Sequence, residues 1–163
     1  MKMRLIAILL TACCFVGCAR KPAGQVGQGA MTQEQVSSYL SRHLSASLPS
    51  DSTDVYGQES PAGARIRFSC SDEGLRNFLS QASRLIPEPK QEETSLLKEK
   101  SDDAWWRPQE LQNTRGSLAA WDTGNETAVC WLLTGPPRTG ARPTVYIKLA
   151  FQPKPLPLDG NLF

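Results

Sequence analysis

The feature of this sequence that most restricts its fold is a change in the spacing of its apolar residues. Over residues 33–47 they recur every three to four positions, which is the period of an α-helix with one buried face. From Ile66 onward, several runs alternate apolar and polar residues, which is the period of a half-buried β-strand. A chain with both periods is expected to bury helices against a sheet.

Both predicted helices have a recognisable first residue. Thr32 and Gln35 form a capping box, so we expect a helix over residues 33–47. Ser71 is a favourable N-cap, and the two acidic residues after it suit the positive end of a helix dipole. This second helix is expected to run to about Leu85.

Short apolar runs between turn-forming residues predict the strands. The predicted strands are Val55–Tyr56, Ile66–Cys70, Ser117–Trp121, Thr127–Leu133 and Thr144–Phe151. Pro87 opens a long charged loop that reaches Arg115, with one helical turn expected at Ser95–Glu99. This order predicts an α+β fold: a small two-layer domain over residues 32–152, with an antiparallel sheet of four to five strands and two helices on one face.

The net charge of the chain comes from its first residues. The formal charge is +2, and Lys2 and Arg4 are the only charged residues before Cys18, so the chain after that cysteine is neutral. A neutral domain lacks the cationic surplus that neutralises phosphates, and we therefore expect no nucleic-acid partner.

Residues 1–17 have the order of a secretory signal peptide. Two cations precede an apolar run from Leu5 to Val16, and the small residue Gly17 stands before Cys18. The run is shorter than the ~20 apolar residues that span a bilayer, which favours a cleaved signal over a membrane-spanning helix.

The segment Phe15-Val16-Gly17-Cys18 resembles the lipobox of bacterial lipoproteins. The resemblance implies that Cys18 carries the lipid and becomes the mature N-terminus. Phe15 departs from the usual leucine, and Leu10-Thr11-Ala12-Cys13 is an alternative box, although cleavage there leaves a very short apolar run. Ala19 is not the aspartate that retains such proteins in the inner membrane, so the resemblance implies an outer-membrane anchor facing the periplasm. An ordinary secreted protein with a chance cysteine is the alternative.

Two segments without a core pattern flank the predicted domain. Residues 19–31 contain three glycines, one proline and no acidic residue, so residues 18–31 are expected to be the lipidated cysteine and a flexible tether. Alternate prolines predict an extended tail over residues 153–163.

Cys70 and Cys130 are the only cysteines after Cys18. Each lies on the apolar side of a predicted strand, and an even pair in an oxidising compartment predicts a disulfide. Closing a loop of about 60 residues would stabilise the fold by roughly 4 kcal/mol. The alternative is two separate buried thiols.

No residue pattern predicts an active site, a metal site or a cofactor. His43 is the only histidine, and it flanks the apolar side of the first helix, so a structural role is expected. A hydrolase whose serine, histidine and aspartate meet only in the fold remains an alternative. One histidine and two distant cysteines do not form a metal-ligand set. We therefore expect a protein that is not an enzyme and needs neither metal nor cofactor.

Trp105-Trp106-Arg107 is the most unusual segment, at the end of the charged loop. Neighbouring side chains of an extended chain point in opposite directions, so one ring is expected to be exposed. Tryptophan and arginine dominate binding hot spots, and these three residues are therefore the predicted binding residues. The alternative is that one or both rings cover the open face of the sheet.

These features together predict a non-enzymatic lipoprotein that binds another envelope protein, for example as an inhibitor or immunity factor. Its expected partners are the membrane, through the N-terminal lipid, and that second protein. Binding of glycan or peptidoglycan through the two tryptophans is the second hypothesis, and an uncharacterised hydrolase is the third.

Overall fold

The structure, a computed structural model, describes residues 29–87, 101–138 and 142–154. The predicted signal peptide, with Cys18 and its alternative Cys13, lies outside the described residues, and so does the expected helical turn at Ser95–Glu99. Residues 29–31 of the expected tether and 153–154 of the expected tail are described. Within the described ranges, no helix has the length and apolar character needed to cross a membrane.

The described residues contain two helices and six strands in the predicted order. The helices are α1 (Gln33–Leu44) and α2 (Asp72–Gln81), and the strands are β1 (Thr53–Ser60), β2 (Gly63–Ser69), β3 (Ile86–Pro87), β4 (Arg115–Asp122), β5 (Glu126–Gly135) and β6 (Thr144–Pro153). The predicted α+β class is confirmed. Both helices end a few residues before their predicted ends, and β3 lies where a loop was expected.

The predicted helix starts are confirmed by their caps. Thr32 Oγ1 accepts a hydrogen bond from the Gln35 backbone N–H at 3.3 Å, and Gln35 Oε1 accepts one from the Thr32 N–H at 2.7 Å. Ser71 Oγ accepts from the Gly74 N–H at 3.0 Å. Ser45 ends α1 earlier than predicted because it adopts a left-handed conformation with φ of 57°.

The strands form one antiparallel sheet in the order β1-β2-β6-β5-β4-β3. A hairpin joins β1 to β2, α2 carries the chain to the far edge, and β4, β5 and β6 return it strand by strand to the middle. Five strands are long, and the two-residue β3 pairs only with Leu118 and Ser117 of β4. The last of the described strands, β6, therefore lies between β2 and β5 near the centre of the sheet.

Both helices pack on one face of this sheet, as predicted. The buried apolar residues of the helices and of the strand positions that face them form one cluster, which includes Val36, Leu40, Leu44, Phe78, Ile66, Phe68, Leu132, Val145, Ile147 and Leu149. Burying each large side chain is worth about 1.5–3 kcal/mol. Gly57 lets α1 approach β1, because a Cβ there would lie 2.6 Å from Val36 Cγ2.

Residues 29–31 pair with the outer edge of β1, and we call this segment the edge strap. The Met31 N–H donates to the Gly57 carbonyl at 2.9 Å, and the Glu59 N–H donates to the Gly29 carbonyl at 2.8 Å. Ala30 lies opposite Gln58 in an antiparallel bridge. The expectation that these three residues belong to a flexible tether is therefore wrong, and the folded domain begins at least three residues earlier than predicted.

The predicted disulfide between Cys70 and Cys130 is wrong, because both residues are free, buried cysteines. They lie on the same face of the sheet, but the register separates them. Cys130 is aligned, through Leu149 of β6, with Ala64 of β2. Cys70 follows six residues after Ala64, which is about 20 Å along an extended chain. A disulfide needs two Cα atoms within about 7 Å.

Candidate functional site

The candidate site lies on the sheet face opposite the helices. On β2, Arg65 and Arg67 point to this face because Ile66 and Phe68 point to the helices. The register aligns Arg67 with Tyr56 of β1 and with Tyr146 of β6. These strands therefore present arginine and tyrosine side chains side by side.

The chain segment over residues 101–111 crosses this face. A backbone hydrogen bond from Trp106 to the Asp103 carbonyl, 3.0 Å long, forms a turn, and a 3-10 helix follows at Pro108–Glu110. Leu111 then pairs with Pro137 in an isolated bridge. The segment brings its two tryptophans against the strand residues, and we call the resulting group the aromatic face: Tyr56, Arg65, Arg67, Trp105, Trp106 and Tyr146.

Trp106 is a core residue of this face. Its side chain is only 2% exposed, and it forms a small buried cluster with Leu111, Leu133 and Tyr146. Its ring meets that of Tyr146 edge to face, with centroids 5.2 Å apart and planes at 88°. The alternative reading, in which a tryptophan covers the open sheet face, therefore describes Trp106.

Trp105 forms the outer part of the aromatic face. Its half-buried ring is parallel to that of Tyr56, at an interplanar angle of 8° and a centroid distance of 5.9 Å. Its ring is perpendicular to that of Trp106, 5.5 Å away. Tyr56 is 41% exposed, which makes it one of two large hydrophobic side chains exposed to this degree among the described residues. The Trp105–Tyr56 stack thus packs against Trp106 on its inner side, and its outer side is exposed to solvent.

Arg65 joins the crossing segment to the sheet. Its guanidinium donates to Asp103 Oδ2 at 2.7 Å, to Ser101 Oγ at 2.8 Å and to Gln58 Oε1 at 2.7 Å. The same group lies 5.6 Å from the ring centroid of Trp106, within the range of a cation–π contact. Arg65 therefore fixes the position of both tryptophans.

Arg67 has aromatic neighbours in place of acceptors. Its guanidinium carbon lies 5.5 Å from the ring centroid of Tyr56 and 5.8 Å from that of Tyr146. Burial raises the pKa of the Tyr146 hydroxyl, and the positive charge of Arg67 partly offsets this rise. A guanidinium stays protonated in proteins, and the raised pKa keeps the Tyr146 hydroxyl neutral near pH 7, so this part of the face is cationic.

Arg107 has a different role from the one predicted. It is half-buried, and its Nη1 donates to the Ser101 carbonyl at 3.3 Å, within the crossing segment. Of the three predicted binding residues, Trp105 lies at the surface of the aromatic face and Trp106 is buried. Arg107 stabilises the crossing segment by a hydrogen bond within it.

Sequence reasoning missed Tyr56, Arg65 and Arg67. One signal was present: the arginines occupy the polar positions of an alternating strand, so they had to share the face away from the helices. Nothing in the sequence showed that Trp105 and Trp106 would lie next to Arg65, because that contact joins residues about 40 positions apart.

His43 and the two thiols lie on the other side of the sheet, where the thiols are buried and His43 is half-buried. His43 packs between Tyr39 and Phe151, with ring centroids 4.3 and 5.5 Å away. Burial, together with the nearby charge of Arg42, lowers its pKa. Among the described residues, its imidazole has no hydrogen bond to a serine or aspartate, so no catalytic triad forms there.

The thiols have the opposite pKa shift from that of a nucleophilic cysteine. Burial raises the pKa of Cys70 to about 11 and that of Cys130 to about 12. A thiol with such a pKa stays protonated near neutral pH and is a poor nucleophile and metal ligand.

The described residues contain no group of three or more histidine, cysteine, aspartate or glutamate side chains that could hold a metal ion. What this chain offers for recognition is the aromatic face: a rigid sheet, two arginines, and a tryptophan–tyrosine stack.

No protein-family model, curated protein or solved structure matches the chain.

Proposed function

We propose that this chain is a lipid-anchored protein of the bacterial envelope that binds another envelope protein through its aromatic face. The observation that carries the proposal is the solvent-facing stack of Trp105 on Tyr56, 5.9 Å apart and nearly parallel. An inhibitor or immunity factor would be a protein of this kind.

The stack has the properties of a binding hot spot. Tryptophan, tyrosine and arginine are the residue types that carry most binding energy at protein interfaces. The rings are already fixed, by Arg65 and by Trp106 behind them, so little side-chain freedom would be lost on binding. A partner could therefore gain apolar contact area at a low entropic cost.

The anchor is proposed from the lipobox resemblance of residues 15–18. Metabolic labelling with palmitate tests it. We expect the full chain to be labelled and Cys18→Ala to lose the label, while Cys13→Ala keeps it. Label retained in both variants, or absent from the parent, would contradict the anchor.

The binding role is tested by crosslinking in cells followed by capture of the tagged chain. We compare the parent with Trp105→Ala and with Trp121→Ala, a matched control in which another half-buried tryptophan is removed from the helix side of the sheet. Near-ultraviolet circular dichroism checks that each variant folds. A partner captured by the parent and by Trp121→Ala, but lost from Trp105→Ala, supports the proposal. Equal capture by all three proteins contradicts it.

Binding of a glycan is the second candidate, because the parallel, partly exposed rings of Trp105 and Tyr56 could lie against sugar rings. Titration with soluble peptidoglycan fragments distinguishes the two functions. A saturable change in tryptophan fluorescence that disappears in Trp105→Ala would favour the glycan. No change, together with capture of a protein that depends on Trp105, favours the protein partner.

A further inference from the structure

Arg65 and Arg67 lie two positions apart on β2 and point to the same face, but within residues 29–87, 101–138 and 142–154 only Arg65 has an ion-pair partner. Arg65 forms an ion pair with Asp103 and two further hydrogen bonds. Among the described residues, Arg67 has no ion pair and no hydrogen bond from its side chain, and its Nε is buried without an acceptor.

This difference is unusual for an arginine inside a sheet. A guanidinium stays protonated in proteins and carries five N–H donors, and a buried donor without an acceptor destabilises the fold. The aromatic rings of Tyr56 and Tyr146 contact the charge but accept no ordinary hydrogen bond from it. Arg67 is therefore a positioned cation with no anionic partner in the part of the chain that the structure describes.

The charges around Arg67 favour an acidic ligand. A neighbouring position of the same strand on this face contributes a second cation, Arg65. The crossing segment contributes the carboxylate of Asp103, which Arg65 already binds at 2.7 Å, and the opposite charges of Arg107 and Glu110, both of which act on the Tyr146 hydroxyl. The remaining positive charge lies beside Tyr56, whose ring is exposed to solvent.

We propose that Arg67 binds a carboxylate from an acidic side chain of the protein partner, while Tyr56 and Trp105 contact the apolar part of the same partner segment. The inference rests on the proposed function and adds the chemistry of the partner. Arginine suits this role because its planar fork can donate two parallel hydrogen bonds to one carboxylate. The two tyrosines limit how far the guanidinium can move.

A direct test uses the full-length chain and a capped tripeptide with glutamate at its centre. The control peptide has glutamine in that position, and inorganic phosphate is the third probe. Nuclear magnetic resonance follows the Arg67 Nε–Hε signal and the backbone amide of Tyr56. We expect saturable shifts of both signals with the glutamate peptide and none with the glutamine peptide. Equal shifts with both peptides, or tighter binding of phosphate than of the glutamate peptide, would overturn the inference.

Variants assign the shifts to Arg67. We expect the dissociation constant measured at Tyr56 to rise about tenfold or more in Arg67→Gln, because charge-assisted hydrogen bonds are lost. Arg67→Lys should recover part of this loss, since it restores the charge but not the fork. Arg115→Gln, which removes an exposed arginine of β4, should leave the constant unchanged. Unchanged binding in Arg67→Gln contradicts the inference.

The capture experiment separates this inference from the proposed function. A partner lost from both Trp105→Ala and Arg67→Gln supports both. A partner lost from Trp105→Ala but retained by Arg67→Gln supports the proposed function and overturns the role of Arg67. Retention by both variants overturns both proposals.

Discussion

Arg65 and Arg67 show how one strand can use the same residue type in two ways. Arg65 holds the crossing segment through two side-chain acceptors, Ser101 and Asp103, and also donates to Gln58 of β1, so it contributes to the stability of the aromatic face. The described contacts of the Arg67 guanidinium are with two tyrosine rings, so its contribution to the described fold is a pair of cation–π contacts offset by a buried unsatisfied donor.

The first prediction compares the effect on the free energy of unfolding when either arginine is replaced by methionine. Arg65→Met should lower the free energy of unfolding by about 1–3 kcal/mol, since it leaves Asp103 without its charged partner. Arg67→Met should change it by less than about 1 kcal/mol, because the lost ring contacts are offset by removal of the unsatisfied donor. Urea unfolding of both variants measures this. A greater loss in Arg67→Met would show that Arg67 stabilises the fold.

The second prediction concerns the single histidine and the pH dependence of stability. The pKa of His43 in the folded chain is lowered from its ordinary value of 6.5, chiefly by burial and then by Arg42, while Glu59 opposes the shift. As pH falls below about 6.5, the unfolded chain takes up a proton that folded His43 resists. Stability should therefore decrease as the pH is lowered from 7.5 to 5.5.

His43→Gln tests this assignment. The quantity to compare is the change in the free energy of unfolding with pH, because the substitution also removes the contacts with Tyr39 and Phe151 and so changes the absolute stability. The variant should lose less stability than the parent between pH 7.5 and 5.5. The lowered pKa values of Asp51 and Asp122 lie below this range and do not affect the comparison. Equal slopes would show that another group is responsible.

At the scale of elements, the edge strap is the feature that extends the sheet beyond what the sequence pattern indicated. Its three residues are too few for a period to appear, and its glycine and alanine carry no hydrophobic signal. Two backbone hydrogen bonds hold the strap against β1, and this pairing requires the positive φ of Gly29. Gly29 has φ of +91°, and a Cβ there would lie 2.4 Å from the Glu59 carbonyl oxygen.

The third prediction follows from that geometry. Gly29→Val should detach the strap, because valine disfavours this φ and would clash with the β1 backbone. The Glu59 amide, which donates to the Gly29 carbonyl, should then exchange its hydrogen faster by about tenfold or more. Ala30→Val is the matched control, since Ala30 is exposed in the bridge and β-branched residues suit strands. Equal exchange rates at Glu59 in the two variants would contradict the strap.

At the scale of the whole molecule, periodicity predicted which elements form and which way their side chains point, but not how the strands are arranged. Alternation placed Cys70 and Cys130 correctly on the helix side of the sheet. It could not predict their distance, because that depends on strand order and register, and both are set by contacts between distant parts of the chain. Prediction of the candidate site was limited in the same way. The sequence indicated Trp105 as a binding residue, but Tyr56 and Arg67 could be assigned to the site only once the order and register of the strands were known.

The fourth prediction tests this arrangement of the cysteines. Because Cys70 and Cys130 are free and apart, a reducing agent should leave the unfolding temperature unchanged. Their pKa values, raised by burial to about 11 and about 12, keep both thiols protonated at pH 8. Iodoacetamide followed by peptide mapping should modify neither thiol in the folded chain and both in urea. A peptide pair linked by a disulfide would contradict the register described above.

The position of the edge strap also determines how the molecule responds to tension. A pull on the chain before residue 29 acts first on the two backbone hydrogen bonds that join the strap to Gly57 and Glu59. The strap continues through Thr32 directly into α1, so once these two bonds break, the load falls on α1 and its contacts with the core. In a molecule tethered at its N-terminus, the strap would thus be the first part to yield, and its two hydrogen bonds would delay the transfer of force to α1 and the core.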